Sequence, residues 1–246
     1  MKKIIRNVEI NYEFSDIGSK MTMVLLHGWG QNIEMMKPIS DKYCEKFNTL
    51  LVDLPGFGQS QEPSYSWSVD EYVEAIHELI EYLKLKNVIL IGHSFGGKIS
   101  LLYASKYPCD KLIGLASPYC PEMKKLPLKN RIYKKMKKIP VLKIFAKIMQ
   151  KRVGSTDYKN ASETMRGVLV QSVNYNMSEQ VKNITCPTLL IWGDLDTAVP
   201  YKRAYELQNL IKDAGVVLFP GATHYAYLER IREVILVLDN FLGVKR

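Results

Sequence analysis

Short apolar runs alternate with helical patterns along this chain, and that alternation restricts the possible folds more than any other feature. Continuous apolar runs of this length are typical of parallel strands buried on both faces of a sheet. The runs are Met21–Leu26, Thr49–Val52, Val88–Ile91, Leu112–Ala116, Leu189–Trp192 and Val216–Phe219, and Ile4–Phe14 adds a strand or hairpin before them. The alternation predicts an α/β protein with a doubly wound, mostly parallel sheet.

The helical patterns lie between the apolar runs. Val69–Leu83 places its apolar residues on one face, and Ser68 with Glu71 forms a capping box at its start. Gly97–Tyr107 and Ile231–Leu242 are predicted as two further helices. These helices supply the connections that parallel strands require.

The strand pattern stops between Pro118 and Val181, where only helical patterns remain. We therefore predict a core formed by residues 1–117 and 182–246, with residues 118–181 inserted as a helical cap. The 246 residues are 47% hydrophobic and 24% charged, which excludes a disordered chain or a collagen-like one.

No apolar run approaches the roughly 18 residues that a membrane-spanning helix needs. The first residues, Met1–Phe14, contain no apolar stretch of signal-peptide length, so we expect a cytoplasmic protein without a transmembrane segment.

None of the four cysteines forms a C-x-x-C pair, which favours free thiols in a reducing compartment over a zinc or thioredoxin motif.

Positive charge is concentrated in one segment, although the whole chain carries a formal charge of +9. Glu122–Arg152 contains twelve Lys and Arg residues, and its one acid is Glu122. Within it, Val141–Arg152 is predicted as an amphipathic helix. A local patch of this kind favours an acidic partner, such as an acyl-carrier protein, an anionic lipid surface or a phosphorylated substrate, over general nucleic-acid binding. A solvated cap exterior is the alternative.

The most specific motif is Gly92–Gly97, which reads Gly-His-Ser-Phe-Gly-Gly directly after a predicted strand and before a predicted helix. A sharp strand-to-helix turn of this kind needs small neighbours and projects the Ser94 hydroxyl over the carboxyl edge of the sheet. The Phe95 amide then points toward any negative charge that develops beside the serine. Ser94 is therefore the predicted nucleophile.

A serine nucleophile needs a base, and a base histidine needs an orienting carboxylate. His224 lies in a loop just after the last predicted strand, at the edge where this fold class places active sites, and is the predicted base. The loop after Leu189–Trp192 offers Asp194 and Asp196. Asp196 lies further into the loop and is the predicted partner of His224, whereas Asp194 is expected to hold the turn.

The chain resembles the α/β-hydrolase superfamily, in the esterase-like branch with an inserted cap. The resemblance extends over nearly the whole length and rests on motifs at His27–Gly30, Asp53–Ser60, Gly92–Gly97, Gly193–Asp196 and Gly221–His224. It implies a Ser-Asp-His triad, an oxyanion hole formed by the backbone amides of Trp29 and Phe95, and no metal or organic cofactor. The His-Gly-Trp-Gly and Gly-His-Ser-x-Gly-Gly motifs are also similar to those of carrier-protein methyl ester esterases.

We therefore expect a serine hydrolase that cleaves carboxylic esters or thioesters of small molecules through an acyl-enzyme. The same triad in related families hydrolyses carbon–carbon bonds, transfers acyl groups or makes peracids, and these reactions are alternatives. A ligand-binding receptor with a basic docking cap is an alternative of another class. Gly92 to Lys98 also approximates a phosphate-binding P-loop, but Ile99 stands where Ser or Thr should bind magnesium.

Overall fold

The structure is a computed structural model that describes residues 1–122 and 156–244. An eight-stranded sheet forms its centre, with the strand order β1-β2-β4-β3-β5-β6-β7-β8. The strands are β1 (Lys2–Ile5), β2 (Val8–Ser15), β3 (Thr22–Leu26), β4 (Asn48–Val52), β5 (Val88–His93), β6 (Lys111–Leu115), β7 (Thr188–Gly193) and β8 (Ala214–Phe219). Each predicted apolar run is a strand in the structure, with ends that differ by one or two residues.

The first two strands form an antiparallel hairpin at one edge of the sheet. Its turn residues, Arg6 and Asn7, both adopt positive φ (51° and 61°), as a tight two-residue hairpin turn requires. β2 is antiparallel to β4, and every pairing from β4 to β8 is parallel. The prediction of a mostly parallel sheet is confirmed.

Helices cover both faces of the sheet. They are α1 (Lys37–Tyr43), α2 (Val69–Tyr82), α3 (Phe95–Lys106), α4 (Thr156–Asn160), α5 (Glu163–Asn174), α6 (Lys202–Leu210), α7 (Ala226–Glu229) and α8 (Ile231–Leu242). The capping box of α2 is confirmed, because Ser68 Oγ accepts from Glu71 N while Glu71 Oε2 accepts from Ser68 N. The sequence did not predict α1 and α6.

Alternate residues of the strands contribute to two separate apolar layers. In β3, Val24 and Leu26 pack in the layer that contains residues of α2 and α3, whereas Met23 and Leu25 pack in the layer that contains residues of α1 and α8. All four side chains are fully buried. Burial on both faces explains the continuous apolar runs and confirms the doubly wound arrangement.

The region between β6 and β7 contains α4, α5 and a 3₁₀ helix at Gln180–Asn183, and no strand occurs in its described parts. This content agrees with a helical insertion, but the domain boundaries at 118 and 181 stay predictions. The predicted helix Val141–Arg152 lies outside the described residues.

Candidate active site

The predicted site residues all follow the carboxyl ends of parallel strands. Trp29 comes after β3, Ser94 after β5, Asp196 after β7 and His224 after β8. β3 pairs with β5, and β7 pairs with β8, in parallel register. Parallel pairing brings these strand ends to one edge of the sheet, where crevices form between the loops.

Ser94 occupies a strained backbone conformation at the tip of the turn between β5 and α3. Its φ of 50° and ψ of −107° are unfavourable for a residue with a side chain, and its amide donates to Leu115 O (2.9 Å). Ser94 is half-buried, whereas His93 and Phe95 on either side are buried. The turn therefore presents the serine side chain while it buries its neighbours, as the motif predicted.

Close packing holds this turn against the loop that follows β3. A Cβ atom at Gly96 would collide with the backbone carbonyls of Leu26 and His27, so this position requires glycine. The Gly96 amide donates to His27 O (3.0 Å), and the rings of Trp29 and Phe95 meet edge to face with centroids 5.4 Å apart.

Those contacts pack the loop that contains Trp29 against the turn that contains Ser94 and Phe95. Within residues 1–122 and 156–244, neither the Trp29 amide nor the Phe95 amide donates to another protein group. Two such donors near a nucleophile can stabilise an oxyanion, and the Phe95 amide adds the positive end of the α3 dipole.

His224 and Asp196 form a hydrogen-bonded pair, with His224 Nδ1 2.7 Å from Asp196 Oδ2. The Asp196 side chain is fully buried, and its other oxygen accepts from the amides of Ala198 and Val199, both at 2.8 Å. A carboxylate held in this way fixes the His224 tautomer, with the proton on Nδ1 and a lone pair on Nε2. The imidazole can therefore accept a proton from a neighbouring hydroxyl group.

Asp194 has a different contact from Asp196, although the two lie in the same loop. Its Oδ1 accepts from the amide of Gly221 at 2.7 Å and so joins the loop after β7 to the loop after β8. The same loops touch at Gly193, where a Cβ atom would collide with the carbonyls of Ala222 and Thr223. The structure therefore places Asp194 at the turn and Asp196 at His224.

His93 links Ser94 to His224, and the sequence did not predict this role. The buried His93 ring lies 4.8 Å from the His224 ring (centroid to centroid), and its Nε2 donates to the His224 carbonyl (3.1 Å). Burial lowers the pKa of His93 to about 3, so the ring is neutral and acts as a structural donor. No local pattern signals the contact, because His224 is remote in sequence.

Ser94 Oγ makes no hydrogen bond to His224 among the described residues. Catalytic hydrogen bonds are often long or poorly aligned without substrate, and rotation about χ1 redirects a serine hydroxyl. The arrangement brings a half-buried serine, a carboxylate-bound histidine and two backbone donors to one sheet edge. It can support attack on a carbonyl carbon with transfer of the serine proton to the imidazole.

His27 and Asp53 support the loops of the site. His27 Nδ1 donates to Gly28 O (2.7 Å) and its Nε2 accepts from Leu54 N (3.0 Å), while burial lowers its pKa to about 4. Asp53 accepts from the amides of Ile33 (2.9 Å) and Gln59 (2.8 Å) and so supports the loop after β4.

Residues 1–122 and 156–244 contain no group of three or more His, Cys, Asp or Glu side chains that could hold a metal ion. No helix in these same ranges is long and apolar enough to cross a membrane. The basic segment Glu122–Arg152 lies outside the described residues except at Glu122, which pairs with Arg203 at 2.7 Å. The acidic partner therefore stays a prediction from charge.

Comparison with known proteins agrees with the fold. A family model described as the alpha/beta hydrolase fold matches residues 22–135. Monoacylglycerol lipase ABHD6 from Bos taurus is 25% identical over 92% of this chain and 76% of that protein, and Lipase 3 from a Moraxella species is 27% identical over 86% and 74%. A solved alpha/beta hydrolase, MGS-M2 from a deep-sea metagenome library, superimposes with a TM-score of 0.78 at 19% identity, over 100% of this chain and 98% of that one.

The similarity to carrier-protein methyl ester esterases stays a prediction from two short motifs. The wider resemblance is confirmed, because the sheet topology and the family model over residues 22–135 agree with it, and the relatives align with most of the chain. The chain has the α/β-hydrolase fold and resembles the α/β-hydrolase superfamily.

Proposed function

We propose that this protein is a serine hydrolase that cleaves carboxylic esters or thioesters through an acyl-enzyme. Ser94 attacks the carbonyl carbon, and His224 takes the serine proton. Asp196 orients His224 and stabilises the imidazolium, and the amides of Trp29 and Phe95 hold the oxyanion. Each oxyanion donor in such a site contributes about 2.7–4 kcal/mol to transition-state stabilisation. His224 then activates the water that releases the acyl group.

The pair formed by His224 and the buried Asp196 carries this proposal. A fully buried carboxylate 2.7 Å from an imidazole nitrogen, next to a serine on a strained turn, has a direct chemical use in nucleophilic catalysis. Two of the relatives are lipases, which supports ester substrates. Carbon–carbon hydrolysis and acyl transfer need the same triad, and no contact among the described residues favours either.

The test is hydrolysis of p-nitrophenyl esters, from acetate to palmitate, by the wild-type protein and two serine variants. We expect a burst followed by turnover in the wild type, and a loss of about 10⁴-fold or more in kcat for Ser94→Ala. The matched control is Ser105→Ala, because Ser105 lies on α3 and its hydroxyl donates to Leu102 O (2.8 Å) within that helix. We expect it to keep wild-type activity.

Two results would overturn the proposal. Ser94→Ala with wild-type turnover would remove the assigned nucleophile. A correctly folded wild-type protein that hydrolyses no ester or thioester would remove the reaction class and favour carbon–carbon hydrolysis or ligand binding. Circular dichroism of each variant separates loss of chemistry from loss of fold.

A further inference from the structure

The thiols of Cys109 and Cys186 lie in direct contact at the edge of the sheet opposite the proposed active site. Their sulfur atoms are 3.2 Å apart, although the residues are remote in sequence. Cys109 precedes β6 and Cys186 precedes β7, so both lie at the amino ends of neighbouring parallel strands. The proposed catalytic chemistry uses neither residue.

Hydrogen bonds beside the two cysteines join the start of β6 to the start of β7 and fix the carbonyl of Cys186. Leu112 N, at the start of β6, donates to Pro187 O (3.0 Å), and the Thr188 hydroxyl donates to Cys186 O (3.0 Å). A disulfide bond is about 2.05 Å long, so the sulfur atoms need to approach by only about 1 Å. Side-chain rotations can supply a shift of that size without a change in the strand register.

Cys44 and Cys120, the other cysteines of the chain, make no thiol–thiol contact in the part of the chain that the structure describes. Cys44 is exposed and its thiol donates to Asp41 O, and Cys120 is half-buried. No third metal-binding side chain joins Cys109 and Cys186 in the part of the chain that the structure describes, so the pair does not form a zinc site. The adjacent thiols of Cys109 and Cys186 are therefore positioned to form a disulfide bond.

We propose that Cys109 and Cys186 are a redox-sensitive pair that hydrogen peroxide converts to a disulfide. The Cys186 thiolate attacks the peroxide O–O bond, which gives a sulfenic acid and hydroxide. The Cys109 thiol then attacks the oxidised sulfur, the S–S bond forms, and the sulfenic oxygen leaves as water. Two thiols are oxidised while one peroxide is reduced to two molecules of water, and an added dithiol reverses the reaction.

The environment of the two thiols supports this order of events. The hydrogen bond from Cys109 lowers the pKa of the Cys186 thiol, whereas the same bond and burial raise the pKa of Cys109. The thiolate is the reactive form of cysteine. Cys186 is buried and Cys109 is half-buried, so a small oxidant is favoured over a protein disulfide.

The disulfide would close a loop from residue 109 to residue 186 that contains β6 and the whole segment between β6 and β7. Crosslinking a loop of this length restricts the unfolded chain strongly. We therefore expect oxidation to raise the melting temperature of the protein by about 5–10 °C. The bond lies far from Ser94, so ester turnover at low temperature should change little.

The experiment oxidises the reduced wild-type protein with stoichiometric hydrogen peroxide and counts free thiols under denaturing conditions. We expect the count to fall from four to two, the intact mass to fall by about 2 Da, and a peptide map to show the 109–186 crosslink. Dithiothreitol should restore all thiols and lower the melting temperature again. The double variant Cys44→Ser/Cys120→Ser should still form the bond, whereas Cys109→Ser should not.

The proposal fails if the oxidised wild-type protein keeps four free thiols, or if its crosslink includes Cys44 or Cys120. It also fails if Cys186 gains oxygen atoms as sulfinic acid instead of pairing with Cys109. These measurements use the intact wild-type protein, so a variant that does not fold cannot produce a false failure. Their outcome is independent of the proposed ester hydrolysis.

Discussion

At the scale of single residues, Asp194 and Asp196 show how two identical side chains in one loop acquire different tasks. Asp196 accepts from two backbone amides and faces His224, whereas Asp194 accepts from the Gly221 amide. An asparagine can replace a carboxylate that only accepts one backbone hydrogen bond. It cannot replace a carboxylate that must accept from an imidazole with one oxygen and from amides with the other.

We expect Asp196→Asn to lower kcat by about 10⁴-fold, because the amide group would face His224 Nδ1 and force the unproductive tautomer. Asp194→Asn is the matched control and should stay close to wild-type activity, since its oxygen can still accept from Gly221. Steady-state kinetics of both variants with one ester provide the measurement. A larger loss in Asp194→Asn than in Asp196→Asn would reassign the carboxylate.

At the scale of elements, a buried lysine attaches α5 to the core. Lys98 on α3 is only 2% exposed, and its Nζ donates to the carbonyls of Ser172 (2.7 Å) and Tyr175 (3.5 Å) at the carboxyl end of α5. The negative end of the helix dipole favours a cation there. Burial nevertheless lowers the pKa of Lys98 to about 8. The buried ammonium group of Lys98 therefore reduces the free energy of unfolding of the protein.

The lowered pKa of Lys98 predicts a pH dependence of stability with a defined sign. Its pKa is about 8 in the folded protein and 10.5 in the unfolded chain, so the unfolded state binds more protons between these values. The contribution of Lys98 to the free energy of unfolding should therefore rise with pH there, by about 2 kcal/mol from pH 8 to pH 10. Urea unfolding at several pH values measures the effect, which Lys98→Met should abolish.

The control for this effect is Lys106→Met, on the same helix. Lys106 is ion-paired with Asp70 at 2.8 Å, and its pKa is raised instead of lowered. The control should therefore keep the rise between pH 8 and pH 10. An identical profile for Lys98→Met and the wild type would contradict the assignment of the rise to Lys98.

At the scale of the whole molecule, two neutral histidines are buried at the ends of adjacent strands. His27 and His93 are 0% and 1% exposed, and burial lowers their pKa values to about 4 and about 3. Both groups bind protons near pH 6.5 in the unfolded chain. Acid should therefore favour unfolding well before the acidic side chains of the protein titrate.

We expect the free energy of unfolding to fall as the pH drops from 6.5 to 4, with a contribution of about 3 kcal/mol from His27. The sign follows because the unfolded chain takes up a proton in this range and the native protein does not. Denaturant unfolding at pH 7, 5.5 and 4.5 measures the slope. His27→Gln should make it shallower, whereas His77→Gln, at a half-buried site on α2, should not.

The strands, the main helices and the order of the candidate triad could be predicted because each depends on local patterns. A strand that is buried on both faces has a continuous apolar sequence, whichever strands it pairs with. The capping box of α2 lies within four consecutive residues. The turn at Ser94 is also local, because its glycines are adjacent to it in sequence. Short helices such as α1 and α6 were not predicted, because a helix of two turns contains too few residues to show the helical spacing of apolar side chains.

The sequence by itself determined the fold class, the position of Ser94 in its turn and the candidates for base and carboxylate. The contact of the predicted Asp196 with His224 is visible only in the tertiary structure, which alone shows that His93 donates to the His224 carbonyl and that Lys98 is buried. The tertiary structure also decided the contact of Cys109 with Cys186. These contacts join elements distant along the chain, and strand order and register, which no local pattern encodes, set which side chains meet.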